Sequence, residues 1–165
     1  MNNRHVNMLA DIFPQYPTEQ QKKRVLAYFD SMDDRIEAAK RIQAVERKAV
    51  GICIRKMKSM YPNFEKLHKY AWAKGYRDVQ LVSRCTVLGM ILNDVEYQDH
   101  KLLVWLRTML GGNGMTPKFI QDCYTLLMQA YQQLLSEEDF VLFEPHLTQN
   151  IETTSDFSEP AEPRV

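Results

Sequence analysis

Arg77 and Asp78 stand side by side in KGYRDVQLVSRCTVLGMILND, residues 74–94, a stretch that is mostly apolar after them. A carboxylate only accepts hydrogen bonds and a guanidinium only donates them, so the pair offers an acceptor and a cation on one short piece of helix. Lys74, four residues before Asp78, allows a plainer reading: a surface ion pair worth a few tenths of a kcal/mol, with Arg77 solvated. Cys85 lies seven residues after Asp78, two turns along on nearly the same stripe, where it can line the same pocket. As a thiol with no cation placed to lower its pKa, it reads first as a small core residue and only second as a nucleophile.

The elements that must position these groups are helical. Prolines and glycines mark the joints at Pro14, Pro17, Pro62, Gly111–Gly112–Asn113–Gly114, Pro145, Pro160 and Pro163. From Thr18, an N-cap with Gln21 three residues on, apolar residues recur at three- and four-residue steps as far as Met57. They predict one long helix, or two joined near Ser31 to Asp34. Further helices are expected over 65–93, 99–110 and 117–135, the last capped by Thr116 and begun by Pro117. Strand-like alternation is absent. After Ser136 the helical signal fades: FVLFEPHL is short for a core helix, and TQNIETTSDFSEPAEPRV has the composition of a disordered tail.

Composition removes several classes of function. Acidic and basic residues balance at 21 each in 165 residues, so no overall field recruits nucleic acid or an anionic membrane. Cys53, Cys85 and Cys123 are odd in number and widely spaced, as reduced thiols of a cytoplasmic protein are, and form no zinc pattern. MNNRHVNMLADIFPQYP carries no apolar core of signal-peptide length, and no segment has the roughly 20 apolar residues of a membrane span. No phosphate loop, HExxH or GxSxG occurs, and catalysis is not expected. Haem would need His5, His68, His100 or His146, none of which is well placed: the first and last lie in the extension and tail, and the others in polar stretches. Met109, Tyr124, Leu127, Met128 and Tyr131 have the spacing of core packing.

With helices of these lengths in this order, the sequence resembles the phycobiliprotein-type globins, the phycobilisome alpha and beta subunit family, whose members hold linear tetrapyrroles. MLADIFPQYPTEQ is similar to the family's N-terminal helical hairpin, DDRIEAAKRIQ to its Arg-x-x-Ala-x-x-Arg-Ile segment, and YRDVQLVSRCTVLGMILND to its Arg-Asp helix. DVEYQDHKLLVWLRTML and GNGMTPKFIQDCYTLLMQ continue the likeness, which covers Leu9 to Leu135. The resemblance is closest to divergent members that lack the bilin-attaching cysteine, the bilin biosynthesis-associated globins. That cysteine sits two residues before the Arg-Asp pair, and here the position is Gly75.

The resemblance implies an all-α, globin-like fold with an N-terminal helical hairpin and a shortened or replaced last helix. It places a domain over residues 1–147 and a disordered polar tail over 148–165. It further implies a non-enzymatic bilin-binding protein in which Asp78 faces the pyrrole nitrogens and Arg77 pairs with a propionate. Lys74 and Lys69 are further candidates for the propionates, Cys85 for attachment, and Trp72, Tyr76, Tyr70 and Tyr97 for stacking against the rings. Arg84 is expected to meet Asp11 across a subunit contact, in a homodimer or a hetero-pair with a similar subunit. A pigment-free structural protein and a sensor globin for another apolar ligand are the alternatives.

Overall fold

A computed structural model describes residues 16–163. Six α-helices account for most of them: α1 Glu19–Asp30, α2 Met32–Met60, α3 Ala71–Ile91, α4 Val104–Gly112, α5 Pro117–Leu134 and α6 Glu137–Ser155. A 3-10 turn, Pro62–Leu67, precedes α3, and a π turn, Asp99–Leu103, leads into α4. The described residues contain no strand, in keeping with the all-α, globin-like expectation. The hairpin expected around Ala10 and Asp11 lies outside the described residues.

Local bonding starts these helices where the sequence places them. Thr18 and Gln21 form a reciprocal capping box on α1: Gln21 N donates to Thr18 Oγ1 at 3.3 Å and Thr18 N to Gln21 Oε1 at 2.8 Å. Thr116 caps α5 by accepting from Phe119 N at 3.1 Å, with Pro117 in the first turn. The break between α1 and α2 falls at Ser31, whose hydroxyl turns back to Ala27 O at 2.8 Å. Buried Arg35 fastens this joint to the end of α3 by donating to Tyr28 O at 3.0 Å and Ile91 O at 2.9 Å.

α2 runs through the centre and packs on α3, α5 and α6, with Ala38, Ile42, Ala49, Val50, Cys53 and Met57 buried along it. Their three- and four-residue spacing turns one continuous stripe inward. α3 starts later than the sequence predicts, because Pro62 opens a 3-10 turn and the helical run resumes only at Ala71.

The last helix is the main correction. α6 is a 19-residue helix, neither shortened nor replaced, and the boundary expected at residue 147 falls inside it. Phe140, Phe143 and Leu147 are buried on its first half, and the polar residues beyond them bond to distant partners. Asn150 Nδ2 donates to Thr86 Oγ1 at 2.5 Å, while Gln149 Nε2 and Thr153 Oγ1 donate to the two Asp99 oxygens at 2.6 and 2.9 Å. At the other end Arg41 of α2 grips Asp139 through Nε and Nη2, both at 2.7 Å.

His146, expected in the tail, is buried on α6 against α3. A Cβ at Gly89 would come within 3.2 Å of its Nδ1 and of Asp94 O, so glycine there lets the two helices approach. Burial pushes the His146 pKa from 6.5 down to about 4, with Asp94 opposing the shift and Arg35 reinforcing it. Below the unfolded value the unfolded chain takes up a proton that the folded chain refuses. Stability therefore falls as pH drops from 6.5 toward 4, by at most about 3 kcal/mol. Asp139, held below its ordinary value chiefly by the Arg41 hydrogen bonds, gives up its contribution in a more acid window, as pH falls through its lowered folded pKa. Urea unfolding across this range should show the first slope, and His146→Gln should flatten it; an equal slope in the variant would refute the assignment.

Candidate functional site

Where α2, the 3-10 turn, α3, the end of α4 and α5 meet, they form a partly open cavity of about 370 Å³. Met57, Phe64, Leu106, Phe119 and Ile120 supply much of its apolar wall. The first two turns of α3 contribute Trp72, Lys74, Gly75, Asp78 and Val79. Trp72 stands edge-on to Phe64 with ring centroids 4.6 Å apart, so one aromatic holds the other in place.

Of the residues singled out in the sequence, Trp72, Lys74 and Asp78 are brought together here. Arg77 is not: its side chain is 74% exposed and reaches back to Asp78, donating from Nε at 3.1 Å and Nη2 at 2.9 Å to the same oxygen, Oδ1. The Lys74–Asp78 ion pair is replaced by this Arg77–Asp78 pair. Asp78 is 39% exposed, and its Oδ2 accepts no hydrogen bond among the described residues. Tyr76 points elsewhere, its hydroxyl donating to Arg47 O at 3.4 Å. Tyr70 lies outside with Lys69 over its ring, and Tyr97 is paired in the same way with Lys101.

Cys85 does not reach the cavity, whose α3 wall ends at Val79. Seven residues return a side chain to nearly the same angle but carry the chain about 10 Å further along the helix axis. Burial raises the Cys85 thiol and only Lys101 opposes it, which leaves a weak nucleophile. The thiol that does line the cavity is Cys123, on α5.

Two other lining residues escaped the sequence reading. Tyr124, expected in core packing, is buried in the cavity wall, where burial, then Cys123, Cys53 and the Asp78 charge, keep its phenol protonated. His68 is exposed and lines the cavity beside Lys74, with Nε2 3.5 Å from Lys74 Nζ. Tyr70 N donates to His68 Nδ1 at 3.0 Å, so in the neutral ring Nε2 carries the proton. Two donors then face each other, an arrangement completed by an anionic acceptor.

Arg84 is engaged within the chain, its Nε donating to Glu46 Oε1 at 2.9 Å and Oε2 at 3.3 Å. Its expected partner Asp11 lies outside the described residues. Among the described residues no helix is long and apolar enough to cross a membrane, and no group of three or more His, Cys, Asp or Glu is placed to hold a metal ion.

A comparison with curated proteins found no match. The family profile described as phycobilisome protein matches residues 8–153, which include all of α1 to α5, nearly all of α6 and every residue lining the cavity. The chain belongs to the phycobilisome protein family.

Proposed function

We propose that this chain binds a bilin non-covalently in the cavity and acts, without catalysis, in pigment handling, biosynthesis or sensing. The observation that carries this reading is that Asp78, Trp72 and Lys74 line one cavity in which position 75 is glycine. A volume of about 370 Å³ falls in the range of pockets that take small organic ligands, roughly 300–1,000 Å³. Asp78 Oδ2 is the acceptor for pyrrole N–H groups, and Arg77 restrains the carboxylate from outside through Oδ1. Lys74 and His68 meet a propionate, the anion that their facing donors lack. Cys123 is a slow nucleophile for attachment at neutral pH, because its hydrogen bond with Cys53 and its burial raise the thiol's pKa.

A second reading, a pigment-free structural subunit, is favoured by the outer face of α3. Leu81 and Leu88 are about half exposed on the same stripe as Arg84, and an apolar face crossed by an arginine suits a subunit contact. In either reading the chain pairs with itself or a similar subunit, and Arg84 exchanges or shares its Glu46 contact with Asp11 of the other copy.

Co-expression with a bilin-producing pathway tests both. Red or green absorbance should follow the purified protein and be lost on denaturation and filtration. A colourless protein that nonetheless assembles in the ultracentrifuge would reject pigment binding and leave the structural reading. Assembly that is indifferent to charge reversal at Asp11 and Arg84, singly and together, would reject the contact.

A further inference from the structure

Cys53 on α2 and Cys123 on α5 bring their sulfurs within 3.9 Å of each other, and Cys53 Sγ also donates to Cys123 O at 3.3 Å. Both are free thiols, and both are buried. They differ in one respect: Cys53 is fully enclosed, whereas Cys123 lines the cavity. Of the two, Cys123 is the residue that a small solute in the cavity meets, and the Cys53 sulfur lies 3.9 Å from its own.

We propose that Cys53 and Cys123 form a redox-active dithiol, with Cys123 the thiol attacked by a small peroxide entering the cavity and Cys53 the resolving thiol. In the first step the Cys123 sulfur attacks a peroxide oxygen, the O–O bond breaks, and a sulfenic acid and one water result. In the second the Cys53 sulfur attacks that sulfenic sulfur, an S–S bond forms, and the departing hydroxide takes up the Cys53 proton as a second water. Two thiols and one hydrogen peroxide thus become one disulfide and two waters. The sulfurs must close from 3.9 Å to about 2.05 Å, a movement of nearly 2 Å that side-chain rotation can share with a small approach of α2 and α5. The product ties the two helices together behind the cavity.

Occupancy of the cavity then controls the chemistry. A pigment seated against Cys123 shuts out the oxidant, so the dithiol is oxidised in the empty protein and protected in the filled one. Protection by pigment rests on the binding reading given above; formation of the disulfide does not. The same hydrogen bond and burial that hold Cys123 protonated make the reaction slow at neutral pH and faster as pH rises.

Full-length protein free of pigment is treated with hydrogen peroxide, alkylated, and digested without reductant for mass spectrometry. The expected product is a peptide pair joined through residues 53 and 123, with Cys85 as the internal gauge of exposure. Cys53 and Cys123 both still reduced at a dose that fully oxidises Cys85 would overturn the proposal, whether or not any variant folds. Cys53→Ala should stop the sequence at a sulfenic acid on Cys123 that dimedone captures. Cys123→Ala should leave Cys53 unlabelled, and labelling there would mean the oxidant arrives by another route. Repeating the reaction with biliverdin, its binding followed by absorbance, should slow the cross-link. An unchanged rate with biliverdin bound would refute access through the cavity, whereas failure of biliverdin to bind rejects the pigment reading and leaves the dithiol result standing.

Discussion

Gly75→Cys should convert a pigment that is proposed to be extractable into one that stays with the polypeptide through denaturation. Position 75 lines the cavity, and a Cβ built there meets only Phe64 Cε1, at 3.8 Å, an ordinary van der Waals contact. The new side chain is therefore accommodated without displacing backbone. Replacing a glycine within α3 should also recover a few tenths of a kcal/mol of helix stability, since cysteine is only slightly the better helix former. A thiol at this position stands one turn before Asp78 and between Trp72 and Val79 along the helix, so it faces the same space as the acceptor that is to hold the pigment. Addition of the thiol across a bilin double bond gives a thioether, with a lyase supplied if the uncatalysed reaction is slow. Zinc-enhanced fluorescence of a denaturing gel should show a coloured band for the variant and none for the parent. A variant that binds bilin as tightly as the parent yet never retains it on the gel would show that position 75 does not face the reactive carbon.

Asp78→Asn should lower bilin affinity by about tenfold or more, with absorbance that is weaker and shifted to the blue. Asparagine keeps the shape of the side chain and one acceptor but removes the charge. Hydrogen bonds to a charged group are worth roughly 1.5–3 kcal/mol, against about 1 for neutral ones, and a protonated bilin loses its counter-charge as well. The fold is not at stake, because Arg77 lies largely in solvent and ion pairs with one exposed partner contribute little to stability. Titration of both proteins with biliverdin, beside their urea midpoints, separates the two effects. Equal affinity and equal spectra would remove Asp78 from the site; a lowered midpoint would assign it a structural role instead.

Much of this protein follows from local chemistry that a sequence displays. The Thr18–Gln21 box and the Thr116–Pro117 start depend on bonds between residues three or four apart, so their positions could be read directly, and the break at Ser31 falls within the 31–34 range that left one helix or two open. The inward stripe of α2 follows equally from helical period. Neither the cavity nor the last helix has that property. The polar half of α6 looks like a tail because Gln149, Asn150 and Thr153 find their partners at Asp99 and Thr86, some 50 to 64 residues away. Cys85 falls outside the cavity because periodicity gives the angle of a side chain about its helix, while the height at which the cavity ends is set by the residues of α2, α4 and α5 that form its other walls. Arg77 turns outward to Asp78, and Arg84 closes on Glu46, for the same reason: a long cation takes the nearest carboxylate the packed helices present. The cavity wall joins two stretches of chain, residues 54–79 and 106–124, so the sequence by itself determined most of the helices and their inward faces, and only their packing decided which of those faces surround a space.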